Sequence, residues 1–326
     1  MINQQPLKRL LVKLNHDTNN IESLSFTREE FFQNKIRYAQ GMSISGMQQK
    51  ISLKYVNGNY EPCNAEGEYI LKPSQEGLRF SAENEYCAML ISQYYKIKTA
   101  ECSLVKFKDS TENAYITKRF DRDIHNIRIA QEDMNSIFNL SARDINNKIS
   151  KNYETVINKI IEVTGRKPPA IELLKRIMFS YLISNSDLHL KNISVIYNEK
   201  IGYSLSPSYD LLMINSLLEY NENKEQTSMA CGLLCDEENT DVIEDEYFTE
   251  HFEHYGFYTG HDFLELAKRL NINKKVVSTI VQDFYIKLSG AIEIIEQSLM
   301  PEQMKQQAIN DIKTRMKVLQ IGVIED

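Results

Sequence analysis

The run Asn185-Ser186-Asp187-Leu188-His189-Leu190-Lys191-Asn192, followed beyond a short strand pair by Tyr209-Asp210, constrains this chain more than any other stretch. It comes straight after an amphipathic helical pattern, Ile171 to Ser184, so its polar residues are delivered into a loop at a helix end. Two readings are open from these residues. Asp and Asn are frequent helix-cap and turn formers, so Asp187 and Asn192 can be purely local structure. Alternatively, Asn192 and Asp210 are hard oxygen ligands suited to Mg²⁺, and Asp187 is a carboxylate that accepts the hydrogen bond of an attacking hydroxyl. That division of labour is what phosphoryl transfer from a nucleotide requires.

The rest of the chain favours an enzyme-sized body. Its 326 residues can bury a sizeable core in two lobes, and 42% hydrophobic with 25% charged residues is ordinary for a soluble globular protein. A net charge of -7 argues against a general nucleic-acid or anionic-membrane binder. No apolar run is long enough to span a bilayer. Met1 to Leu14 mixes Lys8, Arg9 and Lys13 among its apolar residues without a signal-peptide core, so the chain reads as cytoplasmic. Five scattered cysteines, Cys63, Cys87, Cys102, Cys231 and Cys235, fit reduced thiols; Cys231 and Cys235 lack a second ligand pair for zinc.

The patterning divides the chain into a strand-rich first part and a helix-rich second part, an α+β organisation. Ile51 to Val56 alternates as a strand, Asn57-Gly58 signals a type I′ turn, and Tyr69–Leu71, Leu104–Phe107 and Ala114–Thr117 read as further strands of a small antiparallel sheet. Ser81 to Tyr95 has helical spacing, with Ser81 as N-cap ahead of Glu83 and Glu85. After Arg119-Phe120-Asp121-Arg122 the pattern turns helical. Tyr153–Thr164, Ile171–Ser184, Asp262–Leu270 and Lys275–Gln297 are amphipathic, Gly165 to Pro169 separates the first two, and a last helix restarts after Pro301. We place the boundary between an N-terminal lobe, 1–118, and a helical C-terminal lobe, 119–326.

A nucleotide would be held in the first lobe. Lys72 closes a strand and could bridge phosphate oxygens, although strand lysines are common on surfaces. Glu85 could pair with it, but Glu83 is an equally available acid in the first turn of the helix. Ser43-Ile44-Ser45-Gly46-Met47-Gln48-Gln49-Lys50 can form a small-residue loop whose N–H groups approach phosphates, with Lys50 adding charge; one internal glycine makes it no Walker loop.

At these residues the chain resembles the HipA-like serine/threonine kinases of bacterial toxin-antitoxin systems. The matching pieces run in family order: Ser43 to Gly46 with Gln48 and Lys50, Ile70-Leu71-Lys72-Pro73, Asn84-Glu85, Arg119 to Arg122, Gln131-Glu132-Asp133, Asn185 to Asn192, and Leu205 to Leu211. The resemblance implies a two-lobed fold distantly related to protein and lipid kinases over nearly the whole chain. It implies Asp187 as catalytic aspartate, Lys72 as phosphate lysine, and Asn192 and Asp210 as Mg²⁺ ligands. It also implies that Ser43, Ser45, Gly46 and Lys50 cover ATP, that Lys118 to Phe120 is the hinge holding adenine, and that His189 and Tyr209 contact nucleotide. His189 can equally be a structural histidine bracing the loop.

The loop begins at Ser43, which leaves no room for the extra N-terminal subdomain of long members and matches the short, HipT-type form. In the family, phosphorylation of a loop serine switches the kinase off, so Ser43 and Ser45 are candidate autophosphorylation sites. The implied protein substrate class is an aminoacyl-tRNA synthetase. The implied partners are a DNA-binding HipB-like antitoxin and a small HipS-like protein encoded nearby, with DNA reached only through an antitoxin. The acidic residues Asp236, Glu237, Glu238, Asp241, Glu244, Asp245 and Glu246 could face a basic partner, or form a solvated loop. Two other classes remain: a lipid or small-molecule kinase on the same scaffold, and a catalytically silent antitoxin-binding module.

Overall fold

The computed structural model describes residues 5–38, 49–64, 66–141, 149–222, 229–236 and 247–324. In chain order they form α1 (Gln5–Asn19), β1 (Glu22–Ser23), α2 (Arg28–Tyr38), β2 (Ile51–Val56), β3 (Asn59–Cys63), β4 (Tyr69–Pro73), α3 (Ser81–Tyr94), β5 (Cys102–Lys106) and β6 (Asn113–Lys118). There follow β7 (Gln131–Asp133), α4 (Met134–Ile137), α5 (Tyr153–Thr164), α6 (Lys167–Leu182), β8 (Ser194–Asn198), β9 (Gly202–Leu205), α7 (Ile214–Tyr220) and α8 (Glu250–Tyr255). The chain closes with α9 (Gly260–Arg269), α10 (Lys274–Gln297) and α11 (Glu302–Gln320). Among the described residues no helix is long and apolar enough to cross a membrane.

The first part is a sheet with strand order β1-β5-β6-β4-β2-β3. The β2–β3 hairpin turns through Asn57 (φ +50°) and Gly58 (φ +85°), the two positive φ angles that a type I′ turn demands. Every pairing is antiparallel except that of β1, whose Glu22 and Ser23 lie parallel to Val105 and Lys106. The expected antiparallel sheet thus gains one short parallel edge strand, β1, which was not foreseen because a strand of two residues carries too little pattern to be seen in sequence.

Strand alternation sends the side chains to two cores. Leu71, Val105, Phe107, Ala114 and Ile116 turn to one face, where they pack with Phe31 of α2. Cys102, Leu104 and Tyr115 turn to the other, joining α3 and the helices of the second part in one continuous core. There Tyr95 meets Phe284 of α10 at 4.9 Å and Phe179 of α6 at 5.8 Å between ring centroids. Each edge-to-face pair adds roughly 0.5–1.5 kcal/mol beyond its buried area. The helix α3 is buried almost all round, which its weakly amphipathic sequence allows.

Ser81 does not cap α3 as expected. Phe80, at φ +63°, occupies the N-cap without a side-chain hydrogen bond, while the Ser81 hydroxyl accepts from the Gln75 N–H at 3.1 Å. The second part also holds more than helices: β7, β8 and β9 form a three-stranded antiparallel sheet beneath the cleft. The stretch Gly165 to Pro169 separates α5 from α6 through a left-handed Gly165 C-cap (φ +64°), but α6 already begins at Lys167 and takes the prolines into its first turn, where a missing N–H costs nothing. The unforeseen α1 lies against α10, α3 and β5. Its Lys13 donates to the Cys102 carbonyl at 3.2 Å, and its Asp17 accepts from the Tyr86 hydroxyl.

Gly260, at the start of α9, approaches the end of α11 closely enough that a Cβ would run into the Leu319 and Ile321 carbonyl oxygens, which are backbone and cannot turn away. We expect Gly260→Ala to lower the unfolding free energy by about 1–3 kcal/mol. Urea unfolding of variant and wild type checks this.

Candidate active site

Leu71 faces the α2 core, so the next residue of β4, Lys72, must face α3. Its register partner is Tyr115, and its ammonium lies 5.4 Å from that ring centroid. From there Nζ donates to Glu85 Oε1 at 2.7 Å and to Asp210 Oδ1 at 2.7 Å. Residues two apart on a helix point to different sides. Glu83 accordingly lies elsewhere, accepting from Asn113 Nδ2 at 2.8 Å, so the choice left open in sequence falls to Glu85.

Burial would lower the Lys72 pKa, but the carboxylates of Asp210 and Glu85 hold it above the usual lysine value. Burial pushes Glu85 up to about 7 against the pull of Lys72. Asp210 goes the other way: burial opposes ionisation, yet the Lys72 charge and hydrogen bond keep its carboxyl below the ordinary range. Lys50, at the rim, is lowered by burial and by repulsion from Lys72. Asp210 itself sits at φ +59°, a left-handed conformation that Asp tolerates better than most residues and that surrounding contacts must hold.

A third carboxylate, Asp187, is carried by the loop after α6. Ser184, at φ +55°, reverses the chain, and buried Asn185 accepts the Asp187 N–H on Oδ1 at 3.1 Å. The Asp187 carbonyl then accepts from the His189 N–H at 2.9 Å and from Asn192 Nδ2 at 2.8 Å; the same Nδ2 lies 3.4 Å from Asp187 Oδ2. The Tyr153 hydroxyl of α5 donates to the Leu188 carbonyl at 2.8 Å and fixes the loop from below. His189 Nε2 stands 3.5 Å from Asp187 Oδ1, a bracing position; neither residue lines the cleft that Lys72 and Asp210 border. The Asp187 side chain is 40% exposed, so an acceptor can reach it.

A cleft of about 820 Å³ lies between the sheet and this loop. Of the residues expected to hold nucleotide, Lys50, Lys72, Lys118, Phe120, Asn192, Tyr209 and Asp210 line it. Ser43, Ser45 and Gly46, and the acidic residues from Glu237 to Glu246, lie outside the described residues. Phe120 and Tyr209 face the cleft with ring centroids 5.4 Å apart and planes 36° apart. The Tyr209 hydroxyl is held by the Lys191 carbonyl at 2.9 Å and by Ser194 Oγ. In the expected hinge, the Lys118 and Arg119 N–H groups already donate to Glu101 O and Glu68 O, both at 2.8 Å, which narrows the backbone donors there to Phe120.

Sequence reasoning gave Arg119 no part beyond its place in the hinge stretch, and Asp121, Arg122, Arg128 and Lys191 no part in the site, yet all line the cleft. Arg119 binds Asp121 through Nε at 2.9 Å and Nη2 at 2.7 Å, and Arg122 Nη1 adds 2.8 Å to Oδ2. Although burial would raise it, these guanidinium groups hold the Asp121 carboxyl below its ordinary value. The Arg-x-Asp-Arg spacing was the available signal, since a carboxylate two residues from one guanidinium and next to another can be chelated.

Among the described residues no group of three or more His, Cys, Asp or Glu side chains could enclose a metal ion alone. The donor set nevertheless suits Mg²⁺, which takes one or two protein oxygens and completes its shell with phosphates and water. Asn192 spends its amide nitrogen on Asp187, which leaves its carbonyl oxygen as the acceptor, and Asp210 engages Lys72 through Oδ1.

This sheet-and-helix body is the fold of two solved bacterial proteins. HipA of Shewanella oneidensis, solved with HipB and operator DNA, matches with TM-score 0.63 and 16% identity over 90% of this chain and 70% of that one. The proinflammatory kinase CtkA of Helicobacter pylori matches with TM-score 0.53 and 15% identity over 88% of this chain and 97% of that one. The fold is thus kinase-like and α+β. Residues 42–292 match the family model of the HipA-like C-terminal domain, and the chain belongs to that family. A Haemophilus influenzae relative named "Putative kinase" is 32% identical over 91% of this chain and 88% of its own. A second, "Putative kinase Y4dM" of Sinorhizobium fredii, is 28% identical over 57% of this chain and 48% of its own.

Two expectations follow from the Lys72 cluster. Lys72→Met leaves Glu85 buried without its cation and should cost about 3–5 kcal/mol, with Lys72→Met/Glu85→Leu regaining part of the loss in denaturant unfolding. Secondly, the Glu85 carboxyl binds its proton more tightly folded (about 7) than unfolded (4.5), so its stabilising contribution is present below 4.5 and lost as pH rises through about 7. Unfolding free energies across that window should fall less steeply for Glu85→Gln than for wild type.

Proposed function

We propose that this protein is an ATP-dependent serine/threonine protein kinase of a toxin-antitoxin system. One observation carries the proposal: a single ammonium, Lys72, is shared at 2.7 Å by Glu85 and Asp210, beside a loop where Asn192 is tied to Asp187. Lobes of 1–118 and 119–326 enclose the cleft in this reading. Lys72, held straight by Glu85, presents its charge to the phosphate chain, and the Phe120 and Tyr209 rings flank the base. Asn192 and Asp210 would hold Mg²⁺, which neutralises phosphate charge when bound. Asp187, exposed at its tip, accepts the hydrogen bond of the acceptor hydroxyl and orients its oxygen toward the γ-phosphorus. The joint presence of Lys72, Asp187, Asn192 and Asp210 speaks against a silent binding module.

The family relationship supports the finer reading. The acceptor is a protein serine, with an aminoacyl-tRNA synthetase as target class, and Ser43 and Ser45 are modified by the kinase itself. A phosphate there carries about -1.5 to -2 charges near pH 7, enough to repel ATP phosphates and close the kinase down. The Shewanella HipA was solved with HipB and operator DNA. That assembly supports an antitoxin partner for this chain too, with a HipS-like small protein as a second.

Asp187→Asn should lower phosphotransfer by about 10²–10⁴-fold. Expression of wild type and Asp187→Asn in a bacterial host, followed by phosphoproteomics, tests the whole reading. Growth arrest and new phosphoserines on Ser43, Ser45 and a synthetase are expected with wild type alone. Equal phosphorylation of Ser43 and Ser45 in both cultures would refute self-modification.

A further inference from the structure

Asn84 is wholly buried on α3 beside Glu85, and the kinase chemistry above makes no use of it. Its carboxamide grips the backbone of Met213, three residues beyond Asp210. Oδ1 accepts from the Met213 N–H at 2.8 Å, and Nδ2 lies 3.3 Å from the Met213 carbonyl. The same Nδ2 reaches Ser216 Oγ at 3.3 Å and Met304 Sδ at 3.6 Å. Met213 is the N-cap of α7, and its carbonyl also accepts from Ser216 Oγ at 2.9 Å and the Leu217 N–H at 3.1 Å. A second asparagine makes the reciprocal contact: Asn221, after α7, accepts the Arg79 N–H at 2.8 Å and donates to the Arg79 carbonyl at 3.3 Å, just ahead of α3.

Both contacts hold the chain on the C-terminal side of Asp210, at Met213 and Asn221. Asp210 is strained at φ +59° and must be held by what surrounds it. On one side it is tied to α3 through Lys72 and Glu85; on the other, Asn84 ties the same helix to the chain just beyond it. A buried carboxamide with both its oxygen and nitrogen engaged is a rigid, specific joint, and its loss would strand the Met213 N–H, whereas the Met213 carbonyl would keep Ser216 Oγ and the Leu217 N–H.

We propose that Asn84 is a positioning residue for the metal ligand Asp210: it locks α3 to residues 211–213 so that the Asp210 carboxylate keeps one orientation toward Mg²⁺. This rests on the kinase reading above, and it predicts a defect specific to the metal. Residues that orient metal ligands typically govern affinity by about 10–100-fold.

The test is calorimetric titration of ATP into the full chain with Mg²⁺ and, separately, with EDTA. Wild type should bind ATP more tightly with Mg²⁺, and Asn84→Ala should lose about 10-fold or more of that Mg²⁺-dependent gain while its metal-free ATP affinity stays within about two-fold. Gly260→Ala, destabilised far from the cleft, should keep the full gain. An equal loss with and without Mg²⁺ in Asn84→Ala, or none in either, overturns the positioning role. If Asn84→Ala does not fold, Asn84→Asp, which keeps the acceptor and loses the donor, must show the same selective loss. Hydrogen exchange in wild type gives an independent check: a Met213 amide exchanging as fast as an exposed loop would overturn the clamp. A wild type whose ATP binding ignores Mg²⁺ would instead bring down the kinase reading.

Discussion

The junction of sheet, α3 and the Asp210 segment depends on the neutralisation of one buried ammonium. A lysine side chain taken out of water is tolerated only beside compensating negative charge. Lys72 meets that condition with a carboxylate from a helix 13 residues along the chain and another from a loop 138 residues along. The sheet, α3 and the loop bearing Asp210 are thereby fixed to one another by electrostatics. The apolar core that surrounds α3 supplies the low-dielectric setting in which those attractions are strong.

The loop that carries Asp187 is organised on a different basis. It contains few charged contacts and is shaped by backbone reversals and neutral hydrogen bonds: Ser184 in the left-handed region, Asn185 and Asn192 turned inward, and Tyr153 anchoring Leu188 from α5. Asp187 is left as the exposed carboxylate at its tip. The cleft therefore holds concentrated charge around Lys72, while Asp187 stands outside its lining on a loop stiffened by amides.

How far this was legible in the sequence follows from the range of each interaction. The β2–β3 hairpin was readable because Asn57-Gly58 and the flanking alternation are local signals. Asp187, Asn192 and Asp210 stood out as candidates because the chemistry restricts both residue type and order, and the structure brings Asn192 and Asp210 to the cleft. Glu85 could not be separated from Glu83, because which turn of α3 faces Lys72 is decided by packing against the sheet. Phe80 displaced Ser81 as the cap of α3 because the preceding turn, not the hydroxyl, sets the entry of the chain. The Arg119–Asp121–Arg122 chelate was visible as letters but not as geometry. The pairing of β1 with β5 and the seat of α1 are long-range, and no window around them carries a hint.

That seat also has a bearing on how the protein is made. The helix α1 rests on α10, some 250 residues further along the chain, as well as on α3 and β5. At ribosomal rates of about 5–20 residues per second, α1 leaves the exit tunnel on the order of ten seconds to a minute before its main partner helix is synthesised. During that interval α1 can meet α3 and β5, but the part of its surface that rests on α10 has no permanent covering. Closure of the molecule is thus a late event, set by translation of the C-terminal helices. The nascent chain is the state in which this protein is most open to chaperones, proteases and unwanted association.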